Sequence, residues 1–522
     1  MIVRFGMLLA FCCGFAFAQT QTVTGTVTNA LTSAPIGRAK VTLQGQNASQ
    51  TVLTDAGGSF SFGGVPLGFF NLTAERTGFL PAQGQGQVQP MSFAPVNVEA
   101  EKKPDAISLR LTPTATFTGT VTDENGFPLA GSNIQLIRRV ISDGRAKLIV
   151  ANQGSGNDLG EFRISGLFPG SYLVCLNATA STYQRRHHLA YPTNCFSNAT
   201  DPLSAQWINI GPGEERNLAF HLAPVPGIRV SGSIENPPDS VAISTKRTDP
   251  PGFPQFSAPS VDWDSKTSKF EIPAVLPGDY LITANSYVPN GLGAHAMRAL
   301  HVGTEDIGDI RLVLRDGPYI SGTVRMGDTP ASSQNPVGVG FSDNLLSIYA
   351  NASGPFKQQA MEPGDYSLAV FPAGGWVVQS ITQGGVDVRD RKISIGADTE
   401  PAPIEIVLTQ SGGTIEVSFP SVLAKTNSPV KLTLLRQSPS GSDWLVNGQP
   451  MVTYTGGTLS LANIPPGDYF LFAWPTSTEV EYLNAEVIQK YRSFGQPVSV
   501  REGETTRVTV KPVQIVTGAA EL

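Results

Sequence analysis

Few residues in this 522-residue chain have the types and spacing that chemistry needs. The histidines are His187, His188, His221, His295 and His301. A zinc hydrolase requires His-x-x-Glu plus a later His, to hold the metal and keep one position open. None of the five has Glu three residues on. His187 and His188 are adjacent, and on extended chain adjacent side chains face opposite ways; with Arg185 and Arg186 they read as a solvated basic loop. The sequence holds no Gly-x-Ser-x-Gly elbow, no Gly-Lys-Ser/Thr phosphate loop and no Cys-x-x-Cys. Asp262 and Asp264 bracket Trp263, and paired carboxylates catalyse only where they converge in a cleft. A Lys–Asn isopeptide cross-link needs a buried Lys and an acid. Lys40 and Lys431 sit on second strands, but alternation in Lys40-Val41-Thr42-Leu43 turns Val41 and Leu43 inward and Lys40 outward. The reading is therefore non-catalytic, with no metal and no cofactor.

Aromatic side chains remain. Sugar-binding modules present an exposed ring with polar neighbours, because the CH faces of a sugar stack on it. Trp263 beside Asp262, and Trp444 beside Asp443, lie in polar, loop-like contexts and are the candidate carbohydrate contacts. Trp207, Trp376 and Trp474 lie in apolar, strand-like runs and are expected in the core.

Met1 to Ala18 carries one charge at Arg4, an apolar run from Met7 to Phe17, and Ala16-Phe17-Ala18 before Gln19. This is the pattern of a secretory signal peptide cleaved after Ala18. Cys12 and Cys13 leave with it. Cys175 and Cys195 remain, and an even count in an exported chain gives the expectation of a Cys175–Cys195 disulfide. No later apolar stretch reaches membrane-spanning length. A net charge of −6, with no basic run beyond Arg185-Arg186, gives no reason to expect nucleic acid as a partner. The mature chain is expected to be secreted, periplasmic or associated with the outer membrane.

The elements that must position these residues follow from a repeat. Ile464-Pro465-Pro466-Gly467-Asp468-Tyr469 recurs as Leu276-Pro277-Gly278-Asp279-Tyr280, Glu362-Pro363-Gly364-Asp365-Tyr366 and Phe168-Pro169-Gly170-Ser171-Tyr172. Val65-Pro66-Leu67-Gly68-Phe69 is a degenerate copy. Pro presets φ for a tight turn, and Gly170, Gly278, Gly364 and Gly467 are expected at its positive-φ corner, as in a type II turn. An alternating run follows each copy and marks a half-buried strand. The 54 Gly and 40 Pro run above the joint average of roughly 12% and suit many short strands. Each repeat opens on a strand such as Val23-Thr24-Gly25-Thr26-Val27 and ends on one such as Ile107-Ser108-Leu109-Arg110-Leu111. The segment from Pro81 to Pro95 reads as loop, and Asn177 to Glu215 as a long insertion. Val480, Leu483, Val487 and Tyr491 share helical spacing and predict one short helix from Val480 to Tyr491.

The opening strand with Gly-Thr-Val, the Asp-Gly-Phe hairpin at Asp55 to Phe60 and Asp158 to Phe162, and the Pro-Gly-x-Tyr turn resemble the carboxypeptidase regulatory-like domain. The match is best in repeats one and two; the later repeats lose the Asp-Gly-Phe hairpin. The resemblance implies an all-β chain: a tandem array of about five transthyretin-like or Ig-like β-sandwiches of the carbohydrate-binding-like type. The expected domains are 19–113, 114–225, 226–317, 318–412 and 413–522, after a signal peptide at 1–18. Short Pro/Gly junctions suggest a semi-rigid rod. The functional expectation is an exported binding or scaffold protein of the cell envelope, whose partner is a polysaccharide or an envelope protein. The alternative is an accessory domain array serving a separately encoded envelope enzyme or outer-membrane transporter.

Overall fold

In a computed structural model the described residues are 20–513, excluding 46–48, 82–93, 100–105, 143–144, 179, 239, 255–258, 289–290, 316–318, 328–336, 342–345, 351–353, 360–363, 373–374, 390–391, 397–399, 420–429, 438–443, 446–451, 455–457 and 476–483. The chain is almost entirely β and forms a tandem array of five β-sandwich repeats. Asp443 and the segment 480–483 fall outside the described residues. Contact density separates two compact units, one of Met1–Gly119, Phe162–Tyr172 and Ile208–Ala219, the other of the remaining chain.

One topological rule recurs. The opening strand sits centrally, antiparallel to a hairpin strand on one side and parallel to the closing strand on the other. Thr20–Asn29 lies between Ser59–Pro66 and Ile107–Pro113. Ile228–Glu235 lies between Lys269–Val275 and Ile307–Val313. Tyr319–Met326 lies between Gly354–Gln359 and Ile404–Thr409, and Gly413–Ser418 between Thr458–Ile464 and Thr505–Thr509. In the second repeat Ala115–Thr122 takes the same central place between Glu161–Leu167 and Glu215–His221. A second sheet pairs the next strand with the one after the proline turn, as in Lys40–Gly45 with Gly68–Glu75 and Val241–Arg247 with Gly278–Val288. Alternation then fills the core from both sheets: Val23, Val27, Val41, Leu43 and Leu72 are fully buried in the first repeat.

A close approach fixes the central strand. A Cβ on Gly25 would come within 2.5 Å of the Phe60 ring and 2.2 Å of the Ile107 carbonyl oxygen. Gly119 with Phe162, Gly232 with Phe270 and Gly322 with Phe356 repeat this contact. The hairpin phenylalanine thus persists in repeats three and four, where the sequence motif around it is lost.

The proline turns differ from expectation. Gly170, Gly278 and Gly467 have φ of 142°, 147° and 159°, whereas the corner of a type II turn needs about +80°. Each opens the strand itself, laddered to Ile210, Val302 and Val500; Gly364 opens its strand opposite Ile395. The turn is held instead by the tyrosine. Tyr172 Oη donates to the Phe168 carbonyl at 2.7 Å, and Tyr469 Oη to the Pro465 carbonyl at 2.7 Å.

Two other expectations need correction. Ala94–Val98, at the end of the supposed loop, is a strand paired with Gly68–Glu75. It is an edge strand, where Pro95 removes no interior ladder bond. There are also two short helices among the described residues. Helix α1 spans Thr182–Arg186 inside the insertion. Helix α2 spans only Ala485–Gln489, with Asn484 accepting from the Glu486 N–H at 3.1 Å, and a 3₁₀ turn follows at Arg492–Phe494. Its buried contacts are Ile488 and Tyr491, packed with Trp474, while Val487 is partly buried.

Candidate binding cleft

The insertion of the second repeat builds a site. Cys175, on Gly170–Asn177, faces Cys195 in the ladder, and the two are joined by a disulfide with Cα atoms 3.9 Å apart. This fixes one end of the insertion on the sheet. The rest folds outward through α1. His188 adopts a left-handed φ of 54° and reverses the chain. Leu189–Ala190 then pairs with Val225–Pro226, the link between repeats two and three. His188 Nδ1 donates to the Pro273 carbonyl at 2.6 Å, and the His188 carbonyl accepts from the Gly227 N–H at 2.7 Å. Arg185 forms an ion pair with Asp262. The basic stretch read as a solvated loop is therefore a docking segment: its backbone turns onto the third repeat, and its charge meets Asp262.

Between the insertion and the third repeat lies a cleft of about 490 Å³. Its apolar lining comprises Pro250, Phe253, Pro254, Pro259 and Pro273, with Tyr191 and Tyr280. Its polar groups include Arg185, Asp201, Thr193 and the pair Arg247–Asp249, with Asn177, Thr200 and Ser260 also in the lining. Arg247 Nε donates to Asp249 Oδ1 at 2.9 Å and Nη2 to Oδ2 at 2.9 Å. Asp249 also accepts from the Asp279 N–H at 2.9 Å. The Arg247 hydrogen bond is the main cause holding the Asp249 carboxyl below its ordinary range, and the same bond raises Arg247. Both partners stay charged and mutually neutralised. Arg247 also lies over the Tyr280 ring, 5.9 Å from its centre, and donates to the Pro277 carbonyl at 3.2 Å. Burial pushes up the hydroxyls of Tyr280 and Tyr191, so both remain protonated. Tyr191 Oη accepts from Gln184 Nε2 at 2.6 Å. The cleft thus offers hydrogen-bonding groups of both senses among apolar side chains.

The sequence candidates fare differently. Trp263 stands on the edge strand Asp262–Asp264 opposite Phe270 and is partly buried against the core of the third repeat. Asp262 is exposed but held by Arg185; Asp264 accepts from Thr267 Oγ1 at 2.8 Å and from the Lys266 N–H at 2.9 Å, closing its own turn. Trp444 lies on the strand Trp444–Leu445, far along the chain from this cleft, and its side chain is outside the described set. The structure therefore does not bring Trp263 and Trp444 into one described site. Trp474 is buried and Trp376 packs against the core of the fourth repeat, but Trp207 is 41% exposed. It precedes the short strand Ile208–Ile210, whose isoleucines take the inward positions. Lys40 is exposed beside Glu75 at 3.5 Å. Among the described residues no group of three His, Cys, Asp or Glu side chains is placed to hold a metal, and no helix is long and apolar enough to cross a membrane.

The sequence is not matched by any curated protein. Among solved structures it is similar to the TIE protein of Bacillus anthracis, with 12% identity, 57% of this chain, 50% of that chain and a TM-score of 0.18. The chain thus spans half the length of that protein. It is also similar to the minor pilin of Streptococcus agalactiae, with 13% identity, 40% of this chain, 97% of that chain and a TM-score of 0.22. For the shaft pilin of Lactobacillus rhamnosus GG the identity is 11%, the coverage 40% and 98%, and the TM-score 0.21. Residues 22–101 match the carboxypeptidase regulatory-like domain, so the family read from the Gly-Thr-Val, Asp-Gly-Phe and Pro-Gly motifs is the family of the first repeat.

Proposed function

We propose that this chain is an exported, non-catalytic binding and scaffold protein of the cell envelope, built from five domains with boundaries near Pro113, Val225, Gly317 and Gly412. Its leader, Met1 to Ala18, directs export, and its ligand is a polysaccharide. The observation that carries this reading is the cleft beside Arg247 and Asp249. At about 490 Å³ it falls within the size range of small-molecule pockets, roughly 300–1,000 Å³, and it sits at a junction between repeats, where such pockets concentrate. A disulfide in the insertion suits an oxidising compartment. The test is a pull-down of the mature chain on insoluble polysaccharides and on purified envelope fractions. Retention on a polysaccharide supports the reading. Retention only by an envelope protein would replace it with the accessory-array alternative.

A further inference from the structure

We propose that the cleft between the insertion and the third repeat takes an uncharged saccharide and excludes uronic acids. The inference rests on the carbohydrate reading above and narrows it. Both guanidiniums at the cleft are already committed to carboxylates, Arg185 to Asp262 and Arg247 to Asp249. A ligand carboxylate must either crowd against the Asp249 charge at another edge of the Arg247 guanidinium or displace Asp249 from it. Displacement exchanges one two-pronged pair for another and leaves the half-buried Asp249 charge uncompensated, which is costly. A hydroxyl adds to an intact pair instead. Asp249 receives Arg247 Nε, Arg247 Nη2, the Asp279 N–H and its own backbone N–H, so a ligand O–H joins the pair by sharing a carboxylate oxygen and displaces no charged partner. Tyr191 Oη accepts one bond from Gln184, and its own proton can be donated to a ring or hydroxyl oxygen. The prolines and Phe253 supply the apolar surface on which the CH side of a sugar ring packs.

The cleft also explains why the insertion is tied down at two points. One wall belongs to the insertion and the other to the third repeat. The Cys175–Cys195 bond and the Leu189–Ala190 pairing together set their separation. A pocket built across a junction needs such a fastening if binding is to avoid the cost of ordering it.

The experiment uses the full mature chain and compares neutral oligosaccharides (glucan, mannan, galactan and chitin fragments) with oligogalacturonate, alginate fragments and a proline-rich peptide, by calorimetric titration. Two variants accompany it. Ser260→Trp fills the cleft from an exposed rim position, and Tyr191→Phe removes only the hydroxyl. Circular dichroism and thermal unfolding verify that both are folded. The expected result is binding of at least one neutral series, weakened at least tenfold by Ser260→Trp and several-fold by Tyr191→Phe, with no binding of the uronates. Neutral-sugar binding unchanged in both folded variants overturns the cleft assignment and leaves the polysaccharide reading standing. Preferential uronate binding lost in Ser260→Trp overturns the exclusion rule. Peptide binding alone, lost in Ser260→Trp, overturns the saccharide assignment. No binding of any glycan by wild type overturns both readings.

Discussion

Phe60 lays its ring across Gly25, so closely that a β-carbon at Gly25 would come within 2.5 Å of it. The glycine belongs to the opening strand and the phenylalanine to its hairpin partner, and the register pairs them directly. A glycine in a strand interior is weak by itself. Here the missing side chain is the space that the ring fills, and the Ile107 carbonyl of the parallel closing strand approaches from the other side. Gly25→Ala should therefore destabilise the first repeat by about 1–3 kcal/mol through overpacking. Thermal unfolding of the isolated substitution in the full chain checks it; an unchanged first transition would mean that the ring moves aside freely.

This contact shows where the sequence was legible. The glycine of each opening strand and the phenylalanine of the Asp-Gly-Phe hairpin were visible as motifs in repeats one and two. In repeats three and four Phe270 and Phe356 hold the same place without the Asp-Gly turn, because the packing needs the ring and not the turn that precedes it. Alternation located the strands because their burial is one-sided. It failed at Ala94–Val98, where Pro95 signals a break although an edge strand tolerates it. The cleft was not legible. Arg185 and Asp262 are 77 residues apart, and local composition reports nothing of such a pairing. Tyr191, Phe253 and Tyr280 read singly as ordinary aromatics, and the flanking acids made Trp263 look like loop although its ring rests on Phe270's sheet. The length of the insertion was the one available signal.

The disulfide prediction follows from its place at the root of the insertion. Cys175 and Cys195 close a loop with a sequence separation of 20, which in the chain-entropy model is worth about 3 kcal/mol. Both sulfurs are fully buried against Ile137 and Leu173. Non-reduced peptide mapping of periplasm-expressed protein should recover the Cys175–Cys195 pair. Paired Cys175→Ser and Cys195→Ser changes should lower the melting temperature of the second repeat and weaken ligand binding together. Free, alkylatable thiols in the native protein would sink the idea.

A third prediction concerns the turn at Gly278. Its φ of 147° is a region essentially reserved for glycine, and a Cβ there would lie 2.8 Å from Asp249 Oδ1 and 2.9 Å from Arg247 Nη2. Gly278→Ala should cost about 1–3 kcal/mol and disturb the cleft as well as the fold. Asp468→Ala, in the corresponding turn of the fifth repeat, removes only an exposed contact with Ser499 Oγ and should cost no more than about 0.5 kcal/mol. Equal losses measured by chemical denaturation would show that the backbone conformation is not what limits the turn.

Acid should act on the same pair. Asp249 has its carboxyl lowered chiefly by Arg247, so its contribution is fully present above the unfolded carboxylate range and is lost as pH falls through the lower folded value. Saccharide binding should accordingly be insensitive to the Arg247–Asp249 pair from about pH 5 to pH 8 and fail only below about pH 4. Asp249→Asn should move that acid limb. A limb that stays in place in the folded variant would assign it to another carboxylate.

Trp263 provides the sharpest separation between the sequence reading and the structural one. As a stacking platform beside Asp262, it would contribute to binding and little to stability. In the structure its ring rests on the core of the third repeat, opposite Phe270, while Asp262 is occupied by Arg185. Removing a partly buried indole exposes apolar surface and opens a defect, for which about 2 kcal/mol is a reasonable scale given the 3–5 kcal/mol of a fully buried one. Trp263→Ala should thus lower the melting temperature of the third repeat. Below that temperature it should leave affinity for a soluble neutral oligosaccharide within about twofold, because the ring is not among the residues that line the cleft. Arg185→Ala should do the reverse: an exposed ion pair contributes roughly 0–1 kcal/mol, so stability should barely change, whereas one wall of the cleft loses a polar anchor. Strong loss of binding in Trp263→Ala with an unchanged melting temperature would return the indole to the role of a sugar platform and move the binding surface away from the cleft.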